Sequence, residues 1–364
     1  MTQERIKNSD YMPWAKTQAH ARFNLATSGV ANMTWRELSI ELDAIEITGD
    51  GFYGYPPLIH ALAARYRVAP ENIVTAHGAS MANHLAMAAL LDPGDRVLIE
   101  HPTYEPLVAT ARYLGARVET FERRADAGFA IDPAEVERRV DERTRLVIIT
   151  NLHNPSSAFT DAATLKEVGR IARRAGAYVI VDEVYLETMF DCAPDPAFHL
   201  GPEFISTNSL TKVYGLSGLR CGWALAPADV ARKMWLLHDL FGVIMAHPAE
   251  RLSVAALADI ERITNRARAL LERNRALLDA FLRARSDIEV VRAPFGTTIF
   301  PRLKGGRVEE LCRLLREKYE TTVVPGRFFG LEDHFRVGIG GDTQTLAAGL
   351  ERLGRALDEL AARR

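Results

Sequence analysis

Cysteine is scarce in this chain, and the few cysteines that occur lie far apart. The 364 residues include three, Cys192, Cys221 and Cys312, with no CxxC pair and no neighbouring run of histidines. This spacing argues against a zinc site, and a disulfide framework is not expected in so large a chain. We therefore expect no bound metal and a reducing compartment, the cytoplasm.

Long apolar runs and an excess of one charge are also missing. No apolar run reaches the roughly 18 residues that a membrane span requires, and the polar start MTQERIKNSDYMPW lacks the apolar core of a signal peptide. Lys and Arg total 45 against 47 Asp and Glu, so the formal charge is −2. Neither nucleic acid nor an anionic membrane surface is favoured as a partner. The nucleotide-binding patterns GxGxxG after a strand and GxxxxGK[ST] are absent as well.

What the chain does contain is enough apolar sequence for one large core and a smaller second one, with 48% hydrophobic residues. Between residues 72 and 226, short β-rich runs alternate with helical patterns, which predicts an α/β domain with a mostly parallel seven-stranded sheet flanked by helices. The predicted strands cover residues 72–76, 96–101, 116–121, 145–150, 177–182, 204–209 and 221–226. Ligand chemistry is expected at the carboxyl ends of such strands.

The remaining sequence predicts a smaller α+β domain. Apolar residues three and four apart over 250–286 indicate one long connecting helix. Short strands and helices follow, including an amphipathic segment at 307–319 and the run FRVGIG. We predict an N-terminal arm (1–45) that joins the small domain, a large domain (46–265) and a small C-terminal domain (266–364).

The segment SLTKVYGLSGLRCG (209–222) directly follows a predicted strand and concentrates reactive groups. Ser209, Lys212 and Arg220 can converge there on one strand end. A lysine near other cations or shielded from water has a lowered pKa and can act as a nucleophile or Schiff-base former. Arg220 offers a fork suited to a phosphate. Taken alone, the segment also fits a glycine-rich turn with solvated basic residues.

Polar residues at neighbouring strand ends favour the reactive interpretation. Asp182 ends the strand AYVIVD, with Tyr185 close behind, and a buried carboxylate there needs a cation such as a protonated ring nitrogen. A helix cap is the alternative for Asp182. Asn154 precedes Pro155 in a turn after RLVIIT. Ala79 and Ser80 open a predicted helix whose first N–H groups can hold a phosphate, although Ser80 also fits an ordinary N-cap.

In this order the segments resemble the fold-type I pyridoxal-phosphate enzymes and, within them, the class I and II aminotransferases. The resemblance extends from NLATSGV (24–30) to FRVGIG (335–340). It implies pyridoxal 5'-phosphate carried as a Schiff base on Lys212, which then moves the α-proton. The cofactor and substrate contacts that it also implies are as follows: Asp182 on the ring nitrogen; Tyr185 and Asn154 on the phenolic oxygen; and Ser209, Arg220 and the N–H groups of Ala79 and Ser80 on the phosphate.

The resemblance further implies that Tyr104 stacks on the cofactor ring and that Arg336 binds the substrate α-carboxylate, near Asn154 and under a stretch containing Ser28 and Gly29. A buried aromatic and a surface arginine on an edge strand are the respective alternatives for Tyr104 and Arg336. A tyrosine that family members lend to the neighbouring subunit's phosphate site has an approximate counterpart in Tyr53 or Tyr55, which would require a homodimer. His247 fits either a residue that lines the site or the end of a turn before Pro248, while Tyr11 and Trp14 fit a packed N-terminal arm or a cap over the site entrance.

Two departures limit what the resemblance implies. The usual Thr-Gly after Asn-Pro is replaced by Ser156 and Ser157, and no second basic residue is assigned to a distal substrate carboxylate. The expected reaction is transamination between an amino acid and a 2-oxo acid. The alternatives are another reaction on the same scaffold (a lyase, decarboxylase, cyclase or oxidase) and, more remotely, a cofactor-binding regulatory or sensor protein, for which the chain starts too close to NLATSGV to hold a winged-helix domain.

Overall fold

The structure, a computed structural model, describes residues 7–38, 40, 45–49 and 52–363. Within these ranges the helices are α1 (Tyr11–Thr17), α2 (Pro56–Tyr66), α3 (Ala79–Leu90), α4 (Glu105–Tyr113), α5 (Pro133–Arg139), α6 (Ala162–Arg174), α7 (Ala228–Phe241), α8 (His247–Ala258), α9 (Ile260–Arg283), α10 (Val308–Tyr319) and α11 (Thr343–Ala362). The strands are β1 (Phe23–Asn24), β2 (Ile73–His77), β3 (Arg96–His101), β4 (Arg117–Glu122), β5 (Thr144–Thr150), β6 (Tyr178–Asp182), β7 (Phe204–Ser209), β8 (Cys221–Leu225), β9 (Ile288–Glu289), β10 (Thr298–Ile299), β11 (Arg302–Leu303), β12 (Thr321–Thr322), β13 (Val324–Pro325) and β14 (Phe335–Gly338).

The largest sheet has seven strands in the order β2-β8-β7-β6-β5-β3-β4. Strand β8 is antiparallel to both of its neighbours, and the other strands run in one direction. The predicted α/β fold with a mostly parallel seven-stranded sheet is therefore confirmed. Because the parallel strands share one direction, their carboxyl ends meet at one edge of the sheet.

Helices cover both faces of this sheet, which explains the continuous apolar runs. In β5, Leu146 and Ile148 pack in the apolar cluster that includes residues of α3, α4 and α7. The alternate residues Val147 and Ile149 pack with α5 and α6 on the opposite face. Side chains of a strand point alternately to the two faces, so both sets are buried here. Each such side chain stabilises the fold by about 1.5–3 kcal/mol relative to its exposed state.

A second core lies around α9, α10 and α11, whose buried residues form one cluster together with Leu25 and Val30 of the N-terminal segment. Three short antiparallel strands in the order β10-β14-β13 border it, with β14 in the middle. The domain boundaries at 45/46 and 265/266 stay predictions, and residues 41–44, beside the first boundary, lie outside the described residues.

The single helix predicted over 250–286 is wrong, because α8 ends at Ala258 and α9 begins at Ile260. Asp259 between them has φ −109° and ψ 23°, outside the helical region. Helix α8 contributes Ala256 to the core that contains α2, and α9 contributes Ile263 to the same core. From Ala267 onward, α9 packs with α10 and α11. His247 is the first residue of α8 rather than a turn residue.

Candidate active site

A cavity of about 200 Å³ lies at the carboxyl ends of the parallel strands. Its lining is Met12, Ala79, Ser80, Tyr104, Thr150, Asn154, Asp182, Val184, Tyr185, Ser209, Thr211, Lys212 and Arg220. Most of the predicted site residues therefore surround one space, although they come from segments more than 100 positions apart. The strand ends bring them together, as the sequence pattern predicted.

Asp182, the last residue of β6, is a buried carboxylate in the wall of this cavity. The Asn83 side-chain amide donates to its Oδ2 at 2.7 Å, and the Val184 N–H donates to its Oδ1 at 3.3 Å. Thr207 in turn donates to Asn83 Oδ1 at 2.7 Å and fixes the amide orientation. Burial raises the pKa of Asp182 in spite of these hydrogen bonds. A cationic group placed in the cavity would favour the ionised carboxylate.

The start of α3, by contrast, provides groups that can bind an anion. Ala79 and Ser80 are the first residues of this 12-residue helix, and the first N–H groups of a helix have no partner within it. The Arg220 guanidinium lies beside Gly78, where an added Cβ would be 2.3 Å from its Nη2. Gly78 has φ +81°, a conformation that L side chains rarely adopt. Ser209 lines the same cavity. We call Gly78, Ala79, Ser80, Ser209 and Arg220 together the anion cradle.

Lys212, in the loop after β7, lines the same cavity. Its Nζ donates to Ser28 Oγ at 2.9 Å. Burial lowers the pKa of the amine, as do the nearby Arg336 and Arg220, while Tyr11 and Asp182 raise it. Since burial is the largest of these effects, Lys212 is neutral over a wider pH range than an ordinary lysine, as a nucleophile or base requires.

Arg336 is fully buried in the central strand β14, which excludes the edge-strand alternative. Its Nη1 donates to Asn154 Oδ1 at 3.0 Å, and its Nη2 donates to the Tyr11 hydroxyl at 3.1 Å and to the Ala26 carbonyl at 3.0 Å. Its Nε has no hydrogen-bond partner in the described part of the chain. A buried guanidinium held by neutral groups needs an anion, and a carboxylate matches its fork.

Tyr104 and Tyr185 are the aromatic residues of the cavity lining. Tyr104 lies edge-on to Tyr11, with ring centroids 5.7 Å apart, and its hydroxyl contacts Met12 Sδ at 3.7 Å. Burial raises the pKa of Tyr185 to about 12, against the lowering effects of Arg336 and Ser28. Tyr185 is therefore a neutral hydroxyl at physiological pH and can donate a hydrogen bond to a ligand oxygen.

Other candidate residues lie outside the cavity lining. Gly29 packs on the backbone of Lys212, and an added Cβ would be 3.2 Å from its carbonyl oxygen. Tyr53 is exposed, and its hydroxyl donates to Asp239 at 3.2 Å on the outer face of α7. Tyr55 packs edge-on against His247. Trp14 packs against Phe328, as expected of a packed arm, whereas Tyr11 reaches Arg336.

Sequence reasoning missed Asn83, Thr150 and Met12. Asn83 had a usable signal, because it is a polar residue on the apolar face of α3, one turn after Ala79. Thr150 donates to buried Glu100 at 2.5 Å and accepts from the Asn154 N–H at 2.9 Å, so it holds the Asn154 turn in place. Nothing in its own segment distinguishes it from other strand residues.

The Ser156-Ser157 departure leaves a left-handed turn. Ser157 has φ +62°, the region that favours glycine, and its hydroxyl donates to the Thr298 carbonyl at 2.8 Å. This hydrogen bond to β10 helps to hold Ser157 in its unfavourable backbone conformation.

Together these features fit a ligand with an anionic group at one end and a protonated nitrogen at the other, beside a partly neutral lysine. Phosphate at the anion cradle and a pyridinium nitrogen at Asp182 satisfy both requirements. No cluster of three or more His, Cys, Asp or Glu residues suited to a metal occurs among the described residues. No described helix has the length and apolar character needed to cross a membrane.

Comparison with known proteins identifies a family that uses such a ligand. The family model described as aminotransferase class I and II matches residues 45–353. The chain is 31% identical to the capreomycidine synthase of Streptomyces vinaceus over 93% of this chain and 90% of that protein. A pyridoxal-phosphate-dependent aminotransferase of Streptococcus suis has a similar structure, with a TM-score of 0.88, 27% identity and coverage of 93% of this chain and 94% of that one. The pyridoxal-phosphate-dependent cyclase OrfR also has a TM-score of 0.88, with 26% identity over 100% of this chain and 99% of that one. The chain therefore belongs to the class I and II aminotransferase family, a family of pyridoxal-phosphate-dependent transferases.

Proposed function

We propose that the protein is an aminotransferase that moves an amino group between an amino acid and a 2-oxo acid, with pyridoxal 5'-phosphate carried on Lys212. The observation that carries this proposal is a buried guanidinium beside the cavity of Lys212: Arg336 donates to Asn154 Oδ1, and Asn154 and Lys212 line the same cavity. Arg336 is a buried cation with no carboxylate partner in the described residues, and it is close enough to Lys212 to lower its pKa. An α-carboxylate bound to Arg336 brings the substrate α-carbon near the amine.

The residues that would hold the cofactor follow from the anion cradle and the cavity wall. The Ala79 and Ser80 N–H groups, Ser209 and Arg220 would bind the phosphate. Asp182, oriented by Asn83, would pair with the ring nitrogen and keep it protonated. The Tyr104 ring would pack against the cofactor, while the Tyr185 hydroxyl and the Asn154 amide would contact the phenolic oxygen. When bound, pyridoxal phosphate supplies a conjugated cationic ring that stabilises negative charge at the substrate α-carbon.

The protein residues supply orientation and proton transfer. Arg336 and Asn154 fix the substrate carboxylate, and Gly29 leaves room for the N-terminal segment above it. Lys212 removes the α-proton as a neutral amine and returns a proton as an ammonium group. The buried position lowers the pKa of this amine toward the working pH, which suits a group that acts in both directions.

A second candidate reaction is ring closure of an amino acid that carries a leaving group on its β-carbon, in which a side-chain nucleophile bonds to that carbon as the leaving group departs. Two relatives favour this reaction. One relative is a capreomycidine synthase at 31% identity, and one structural neighbour is a pyridoxal-phosphate-dependent cyclase. Both reactions would begin with proton removal by Lys212, and they differ in the fate of the amino nitrogen.

The fate of that nitrogen provides the test. The holoenzyme is mixed with an excess of each member of an amino-acid panel that includes β-substituted amino acids, without a 2-oxo acid acceptor, and the products are identified and counted by mass spectrometry. Transamination yields up to one equivalent of 2-oxo acid per site, with the nitrogen left on the enzyme. A cyclic product that keeps its α-nitrogen and exceeds one equivalent per site would instead establish ring closure.

We also propose a homodimer with an active site at each end of the interface. An α7 patch of exposed apolar residues supports it: Leu236, Leu240, Phe241, Val243 and Ile244, with Phe52 and Tyr53 as further exposed aromatics. Leu240 is 76% exposed. A group of exposed apolar side chains of this size is unusual on a monomeric protein. The His77 ring, next to Gly78, stacks on His238 of α7, so a partner on this patch would lie beside the anion cradle. Tyr53 stays a predicted contact to the partner's phosphate site.

A cytoplasmic location completes the proposal. It is supported by the three cysteines, all of which are free thiols.

A further inference from the structure

The N-terminal segment Ser28–Val30 lies directly on Lys212. The Val30 N–H donates to the Lys212 carbonyl at 2.8 Å, and Gly29 packs so closely on the Lys212 backbone that an added Cβ would be 3.2 Å from the same oxygen. Ser28 Oγ accepts a hydrogen bond from Lys212 Nζ at 2.9 Å. Both the backbone and the amine of the lysine are therefore held by one short segment.

Contacts with other segments fix Ser28 independently of the lysine. Thr297 is fully buried, and its hydroxyl donates to the Ser28 carbonyl at 2.7 Å. Three residues after Ser28, the Ala31 N–H donates to the Gly340 carbonyl at 2.7 Å. Because these anchors belong to the C-terminal part of the chain, they locate the Ser28 hydroxyl even when the lysine side chain moves.

Of the groups near the Lys212 amine, Ser28 is the one to which Nζ donates its hydrogen bond. Tyr11, Arg336, Asp182 and Arg220 all influence the pKa of the amine, but the hydrogen bond from Nζ goes to Ser28. The Ser28 hydroxyl also interacts with Tyr185 and lowers the pKa of that phenol. A serine hydroxyl can accept from the amine and donate its own hydrogen at the same time.

We propose that Ser28 positions the Lys212 amine for proton transfer: its oxygen holds one N–H of the amine and thereby directs the nitrogen lone pair into the cavity. The inference rests on the proposed role of Lys212 as the base. In the transfer, the lone pair forms an N–H bond with the α-proton, the electrons of the C–H bond stay on the substrate carbon, and the ammonium later returns the proton. Ser28 neither gains nor loses a proton overall.

The first test uses the apoenzyme and needs no reaction. Lys212 is labelled with acetic anhydride at a series of pH values, and its modification is measured by mass spectrometry in the wild type, Ser28→Ala, Ser28→Thr and the matched control Ser217→Ala, whose hydroxyl donates instead to Asn32 Oδ1 at 3.0 Å. Removing the acceptor destabilises the ammonium form, so in Ser28→Ala the pKa of Lys212 moves below the wild-type value. Ser28→Thr and Ser217→Ala keep the wild-type profile. A Ser28→Ala profile that coincides with the wild type overturns the inference.

The second test measures exchange of the substrate α-proton with D2O in the holoenzyme. Loss of orientation at the base lowers the exchange rate in Ser28→Ala by about tenfold or more, with little change in substrate KM, and Ser28→Thr restores most of it. An unchanged exchange rate in Ser28→Ala also contradicts the inference. Failure of the proposed function looks different: no 2-oxo acid forms with any donor, while the labelling result and the Ser28 dependence of α-proton exchange persist.

Discussion

At the scale of single residues, Asp182 and Arg336 are both buried, and each is held by neutral hydrogen-bonding groups among the described residues. Keeping such groups charged in a protein interior is costly unless a counter-charge arrives. A ligand with a cationic ring nitrogen and a substrate with a carboxylate supply the two missing partners.

The carboxylate charge of Asp182 can be removed with little change in shape. We expect Asp182→Asn to lower kcat/KM by about 100-fold or more, because the loss of a buried ionic partner costs several kcal/mol. Steady-state kinetics with the best amino donor measure this. Asp195→Asn is the control, since Asp195 is an exposed carboxylate paired with Arg67 at 2.5 Å and its change leaves kcat/KM within about twofold. Equal effects of the two substitutions would contradict the proposed role of Asp182.

Glu183, the neighbour of Asp182, gives a pH-dependent prediction. Burial raises the pKa of its carboxyl from 4.5 to about 8, even though the Ala197 N–H donates to it. The folded chain therefore keeps a proton that the unfolded chain releases, and this contribution to stability is lost as pH rises from about 4.5 to about 8. The slope from this one group is at most about 1.4 kcal/mol per pH unit.

We expect Glu183→Gln to remove that slope. Urea unfolding of the apoenzyme at several values between pH 5 and pH 8 should show a wild-type free energy of unfolding that falls more steeply than that of the variant. Glu142→Gln, at an exposed position, should follow the wild type. Parallel wild-type and Glu183→Gln curves would show that Glu183 is ionised throughout this range.

At the scale of elements, the start of α3 and the turn before β8 must approach closely to form the anion cradle. Gly78 permits this, since any side chain there would meet the Arg220 guanidinium. Gly222 permits the same approach from the other side, because an added Cβ would be 2.2 Å from the Gly78 carbonyl carbon. The backbone and the arginine can then face one anion together.

Gly78→Ala should weaken cofactor binding by about tenfold or more, because the new methyl group displaces Arg220 and the φ of +81° is unfavourable for alanine. Titration of the apoenzyme with pyridoxal phosphate measures the Kd. Gly94→Ala separates the two causes, since Gly94 has φ +99° but no atom within 4 Å of an added Cβ. If Gly78→Ala binds the cofactor as tightly as Gly94→Ala and the wild type do, the Arg220 contact does not control binding.

The sequence predicted the parts of the site that lie at strand ends. Asp182 ends one predicted strand, and Asn154 and Lys212 lie a few residues after the ends of two others, so the rule for parallel sheets places them together without knowledge of long-range contacts. The contact between Ser28 and Lys212 joins residues 184 positions apart, and no local pattern encodes it. The break at Asp259 was also hidden, because α8 and the start of α9 both present apolar residues at helical spacing to the core that contains α2.

At the scale of the whole molecule, the exposed α7 patch is the feature that a single chain leaves unexplained. Apolar groups of this kind on a protein surface mark interaction sites. The C-terminal end of α7 lies close to the anion cradle through the His77 and His238 pair, so assembly and cofactor binding should be linked.

We expect the double variant Leu240→Glu and Phe241→Glu to be a monomer with a raised Kd for pyridoxal phosphate, because the charges cannot be buried in an apolar interface. Size-exclusion chromatography with light scattering gives the mass. Arg232→Glu, on an exposed position of the same helix, should remain dimeric. A fully active wild-type monomer would contradict the dimer proposal.

The covalent attachment of the cofactor to Lys212 is the central claim, and borohydride reduction tests it directly. After reduction of the holoenzyme and digestion, the account predicts the added mass of the reduced cofactor on the peptide that contains Lys212. The same treatment of Lys212→Ala should leave no labelled peptide. Label on another lysine of the wild type, or a wild-type protein that binds the cofactor without any reducible link, would contradict the account.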